Sequence, residues 1–106
     1  GSSCSIHLRT KDIPFHPEAY ELAEMGFIPA GAYRNRAFAE SNVRICGNVS
    51  RAMQDICYDP QTSGGLLMAV AAESAEECLR ELQSVIPCAA IIGCVTVRQE
   101  AAIYLE

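Results

Sequence analysis

The sequence has few basic residues. Eight Lys and Arg stand against 13 Asp and Glu, a formal charge of −5. Non-specific nucleic-acid binding relies on Lys and Arg neutralising phosphates, so this balance excludes it as the chain's business. There is no apolar run near the roughly 20 residues of a membrane span, and no N-terminal pattern of a signal peptide. The six cysteines, Cys4, Cys46, Cys57, Cys78, Cys88 and Cys94, contain no C-x-x-C pair, which removes a zinc site of ordinary spacing. Most sit in apolar patterns, where a free thiol behaves as a small hydrophobe. The chain lacks the loop-rich character of small disulfide-stapled secreted domains. Reduced thiols, a cytoplasmic location and no membrane contact are the expectation. There is no G-x-S-x-G elbow and no H-E-x-x-H. His7 and His16 are too few for a metal site, and the residues present no catalytic set and no metal set.

What is present is one stretch of unusual composition, Asp59-Pro60-Gln61-Thr62-Ser63-Gly64-Gly65-Leu66-Leu67. Asp59 precedes proline, which pushes its backbone out of the helical region. Pro60 has a fixed φ and no N–H. Gly64 and Gly65 permit φ > 0 and close approach. Gln61, Thr62 and Ser63 add an amide and two hydroxyls. It is no P-loop, because no Lys follows the glycines and the strand follows the loop. Residue chemistry alone is satisfied by a turn that caps a helix and starts a strand, with Asp59 capping the turn through its own backbone.

The 106 residues predict a single α/β (α+β) domain over 1–106. Alternation makes Ser5–Leu8 a half-buried strand, with His7 on its solvated face. Pro17 opens a helix to Met25, with Ala19, Leu22, Ala23 and Tyr20 inward and Gly26 as a left-handed terminator. Pro29 and Gly31 mark Phe27–Arg36 as a loop entering a short helix at Asn35–Glu40. That loop carries Arg34, Asn35 and Arg36. It reads as a solvated loop, or as an anion-binding or docking loop, since the guanidinium fork matches phosphate and carboxylate. Val43–Cys46 reads as a short strand or connector. Ser50 caps a helix to Cys57. Leu66–Ala71, unbroken and apolar, reads as a buried strand. Ser74 and Glu77 spell a capping box for a helix Ala75–Val85. Ala90–Val97 is the next strand, completing a right-handed βαβ crossover, and Ala102–Leu105 an edge strand.

Three segments carry a resemblance. Tyr58 to Leu67 closely resembles, without a gap, a segment near the C-terminus of selenophosphate synthetases. Leu22 to Arg36 is similar to that family's helix and loop, with Ala30-Gly31 where two glycines are usual. Ala90-Ile91-Ile92-Gly93 followed by Val95 resembles its last strand, with Cys94 where an acidic residue is common. The likeness runs from about Ser5 to Leu105. It implies the latter part of the C-terminal domain of such proteins, with the C-terminal-domain fold of aminoimidazole ribonucleotide synthetase-like proteins: a mixed sheet with helices packed on it. It implies a parent that converts ATP, selenide and water to selenophosphate, AMP and phosphate. ATP and Mg²⁺ belong to that parent, with no cofactor in this stretch. The parent's N-terminal ATP-binding domain would be the partner of this one, in a homodimer. The family's catalytic Cys or selenocysteine, its neighbouring Lys and its metal-binding aspartates have no counterpart here. The resemblance therefore implies one wall of an interdomain site that meets a small anion, phosphate or a selenium species. Arg34, Asn35, Gln61, Thr62, Ser63, Gly64 and Gly65 are the candidates, and the stretch alone would be inactive. The alternative expectation is a stand-alone, non-catalytic interaction module of the same fold.

Overall fold

The computed structural model describes residues 3–106. Its central element is β1 (Cys4–Leu8), which pairs on both sides. One side runs antiparallel to β3 (Gly93–Val97), from Cys4 opposite Val97 to Leu8 opposite Gly93. The other runs parallel to β4 (Ile103–Leu105), which in turn pairs in parallel with β2 (Val43–Ile45). The sheet order is β2-β4-β1-β3. The class is α/β with a mixed sheet, as the alternation and helical periodicities predict.

Directly opposed residues share a face. Ile6, Leu8, Val95, Ile103, Leu105 and Val43 thus form an apolar face, and Ser5, His7, Thr96 and Tyr104 the other. Ser5 is fully buried: its hydroxyl donates to the Ala101 carbonyl at 2.6 Å and accepts from the Gln99 N–H at 2.8 Å. That ties the turn before β4 to β1. His7 is not solvated as expected. It stacks on the neighbouring Tyr104 ring at 4.5 Å and its Nδ1 meets Glu106 at 2.5 Å. β4 is no edge strand either, since β2 covers its far side.

Among the described residues four α-helices accompany the sheet: α1 (Pro17–Glu24), α2 (Ala30–Ala39), α3 (Arg51–Cys57) and α4 (Ala75–Gln83). Pro17 occupies the first turn of α1, and Gly26 follows it at φ +85°. Ser50 caps α3, its Oγ accepting the Met53 N–H at 3.1 Å. Ala23, Ala32, Ala52, Met53 and Tyr58 are buried on this side of the molecule, with Ala101, Tyr104 and Leu105. Leu22, expected inward, is exposed.

Three further expectations are corrected. The first is Phe27–Arg36, which is helical from Ala30. Pro29 is the N-cap, where a missing N–H costs nothing, and Gly31 falls in the first turn, so neither breaks the helix. The second is the Ser74 capping box, which does not form. Ser74 is already helical, in a tight turn over Ala72–Ser74 before α4, and its side chain caps nothing. The third is Leu66–Ala71, which joins no strand ladder. The βαβ crossover expected from Leu66–Ala71 through α4 to β3 therefore does not form, and β3 pairs antiparallel with β1 instead. Ala90–Ile92 also stay outside the ladder, although Ile91 and Ile92 carbonyls accept from Arg9 at 2.8 Å each.

Gly93 lies opposite Leu8 in the β1–β3 ladder. A Cβ there would overlap the His7 carbonyl oxygen. Backbone cannot retreat as a flexible side chain can, so Gly93→Ala should cost about 3 kcal/mol, read as a lower urea midpoint. An unchanged midpoint would mean that the β1–β3 pairing is not the one described.

Candidate functional site

The chain leaving α3 is gripped by α2 at successive points. Arg36, near the end of α2, reaches back to α3. Its Nη2 donates to Asp55 Oδ1 at 2.7 Å and its Nη1 to Gln54 Oε1 at 3.1 Å. Its guanidinium lies over the Tyr58 ring, 4.6 Å from the centroid, a cation–π contact. Asp55 is buried, and its second oxygen accepts from Arg51 Nε at 3.0 Å, one helical turn away. Asn35 donates from Nδ2 to the Tyr58 carbonyl at 2.9 Å. Gly31 faces Pro60: a Cβ added there would lie 2.6 Å from Pro60 Cγ. Glycine is what lets the first turn of α2 come this close. Ring, carbonyl and proline are thereby fixed before the loop begins.

Beyond Pro60 the chain is released. Gln61, Thr62, Ser63, Gly64 and Gly65 are all exposed. Gln61 folds over Gly64, where a Cβ would meet its Oε1 at 2.7 Å. Thr62, Ser63 and Gly65 make no hydrogen bond among the described residues. Neither Gly64 nor Gly65 has positive φ. The alternating right- and left-handed backbone of an anion nest is therefore not preformed. What the loop offers is two hydroxyls and a row of open backbone N–H groups. Asp59 accepts the Gln61 N–H on its own carbonyl at 2.9 Å, closing a tight turn.

The structure brings the start of this loop together with Asn35 and separates the roles of the two arginines. Arg34 is exposed, with no hydrogen bond or ion pair among the described residues. Arg36 is occupied by Asp55 and Tyr58. Sequence reasoning missed Arg36, Asp55 and Tyr58 as the joint that aims the loop. Only the Arg51–Asp55 pair was visible, at i,i+4. Among the described residues no three His, Cys, Asp or Glu side chains gather to hold a metal. No helix among them is long and apolar enough to cross a membrane.

Burial pushes the Cys57 thiol up, against a smaller downward pull from Arg36. Tyr58 is raised by burial, lowered by Arg36, and raised again by Glu40 and Cys57.

No protein-family model matches the chain. Curated proteins do. It is 47% identical over 93 residues to selenide, water dikinase from Pelobacter propionicus, covering 87% of this chain and 27% of that protein. Selenide, water dikinase 2 from Peptoclostridium acidaminophilum is 47% identical over 104 residues, 97% of this chain and 30% of that one. The enzyme of that name from Treponema denticola is 46% identical over 105 residues, with 94% and 29% covered. The chain thus spans about 30% of the length of the curated relatives it matches.

The two arginines at Asp55 should differ in weight. Arg36→Met leaves a buried carboxylate with one exposed partner and should cost about 3 kcal/mol. Arg51→Ala removes a largely exposed pair member and should cost less than about 1 kcal/mol. Equal losses in denaturant melts would contradict the joint. In a variant keeping only Cys57, thiol alkylation should rise with pH later than for an unhindered cysteine. Adding Arg36→Met should move that profile further up, because Arg36 favours the thiolate. A downward move would refute the assignment.

Proposed function

We propose, for a chain that belongs by sequence to the selenide, water dikinase family, that it forms the C-terminal part of such an enzyme and supplies one wall of its active site. The observation that carries this reading is the similarity, which extends over nearly the whole chain and over under a third of each relative. The fold is taken to be that of the C-terminal domain of aminoimidazole ribonucleotide synthetase-like proteins. The parent's reaction turns ATP, selenide and water into selenophosphate, AMP and phosphate. Two of the three ATP phosphoryl groups leave AMP, one ending on selenium and one on water's oxygen. ATP and its metal would be held by the parent's N-terminal domain.

This chain's own residues would bind and orient an anion. The Thr62 and Ser63 hydroxyls and the open N–H groups of Gly64 and Gly65 can donate to phosphoryl or selenium-borne oxygen. Arg34, which makes no ion pair among the described residues, adds a guanidinium on the helix that holds the loop. Asn35 acts one step back, through its bond to the Tyr58 carbonyl, so it is a positioning residue. Such donors matter because phosphoryl transfer depends on placement and charge stabilisation more than on covalent chemistry. A stand-alone module is disfavoured by the large apolar side chains left open between Leu66 and Val70.

The isolated chain should produce no selenide-dependent AMP. In a full-length enzyme carrying this chain, Thr62→Val should lower turnover about 100-fold with an unchanged Tm. Asn35→Ala should lower turnover and also stability, by about 1 kcal/mol for the lost hydrogen bond. If Thr62→Val melts early while its turnover per folded molecule is normal, the loop packs domains and binds no ligand. AMP formed by the isolated chain would refute the division of labour.

A further inference from the structure

The side of the molecule around β3 and α4 is built differently from the rest. Leu66 is 93% exposed, and Leu67, Met68 and Val70 are exposed with it. From Thr62 to Val70, no backbone N–H or carbonyl makes a hydrogen bond among the described residues. β3 pairs only with β1, so its outer edge is open, and Val95 and Val97 on it are exposed. α4 buries none of its residues fully, although Cys78, Leu79, Leu82 and Ile86 recur at helical spacing. These elements surround one cavity of about 590 Å³, which Ile6, Leu8, Leu67, Leu79, Leu82 and Val95 help to line.

Apolar side chains and unpaired backbone on one segment define what can fill this space. A polar small molecule finds no side-chain partner, because the lining has no charged group and offers only thiols from Cys78, Cys88 and Cys94. Ligand sites need a few converging polar groups. An extended polypeptide supplies both missing things at once. It pairs the open N–H and carbonyl groups and seats every second side chain in the cavity.

We propose that Leu66–Val70 and the free edge of β3 form an acceptor for a β-strand. Its occupant is a segment of a selenide, water dikinase chain from outside the stretch matched here. More than two thirds of each relative lies outside that stretch. A segment of the same polypeptide is present at an effective concentration of order millimolar. A second copy of this chain, free in solution, has no such advantage. The proposal rests on the reading of the chain as part of a longer enzyme, and it gives Leu66–Val70 a pairing strand that the described residues do not supply.

Hydrogen exchange compares the isolated chain with a full-length enzyme that contains it. Amides of Leu66 to Val70 should exchange at near-unpaired rates in the isolated chain, and at least about 100-fold more slowly in the full-length enzyme. Met68→Pro removes one of the N–H groups in question. It should lower the Tm of the full-length enzyme and leave that of the isolated chain unchanged. Equal exchange in both proteins overturns the proposal. So does protection in the isolated chain that grows with concentration, which would make the occupant a second copy. An active full-length enzyme with unprotected Leu66–Val70 refutes this acceptor and leaves the functional reading standing. An inactive but well-folded enzyme with the segment protected does the reverse.

Discussion

The Arg36 guanidinium sets the geometry on which the candidate site depends. It binds Asp55 and Gln54 on α3 and covers the ring of Tyr58, where α3 ends. A buried ion pair contributes little net stability, because desolvation opposes the Coulomb gain. Its value here is directional. One planar cation meets a carboxylate, an amide and an aromatic face at fixed angles, so α2 and α3 have one relative orientation. Asn35 and Gly31, one and five residues earlier on α2, then take the next two grips, at the Tyr58 carbonyl and at Pro60. The loop that follows is free, but its point of departure is not. Three contacts from α2 hold that point of departure, and the hydroxyls and N–H groups beyond it are exposed.

Electrostatics points the same way. The chain is acidic overall, so its long-range field repels anions. Arg9, Arg36, Arg44 and Arg51 each pair with a carboxylate of this chain. Among the described residues Arg34, like Arg80 and Arg98, makes no such pair, and it lies beside Asn35 on the helix that holds the loop. The anion site proposed at this edge would therefore draw on local donors: Arg34, two hydroxyls and open N–H groups. High salt would screen the first more than the others.

The elements legible in the sequence were those with local causes. Pro17, Gly26 and Ser50 act within one helical turn, and each stands where its backbone chemistry places it. The β1 alternation is local too. What failed was decided elsewhere in the chain. Ala30–Ala39 is rich in helix formers, but Pro29 and Gly31 looked like breakers. They are tolerated because they fall at the cap and first turn, and Gly31 is needed by Pro60, 29 residues away. β4 looked like an edge because the β2 partner that covers it is three residues long. In the site, the exposed loop was visible from its composition. The Arg36–Asp55–Tyr58 joint was not, since a pairing across 19 and 22 residues leaves no periodic trace.

The misreading of Leu66–Ala71 is of another kind. Its composition is that of a strand buried on both faces, and nothing in its local chemistry argues otherwise. The apolar pattern reports the environment for which the segment is suited, while the structure reports the neighbours this chain can provide. The two agree around α1, α2, α3 and β4, where the core closes, and disagree around β3 and α4, where it does not. Here the segment is exposed as well as unpaired, so the expectation of a buried strand fails on both counts, and the acceptor proposed above is one arrangement that would restore both. The loop Gln61–Gly65 runs directly into that segment. If a strand from the same enzyme seats on Leu66–Val70, it fixes the far end of the loop as Arg36, Asn35 and Gly31 fix the near end. The exposed donors would then be held between two anchors, and the anion site would take its final shape only when the remainder of the enzyme is in place.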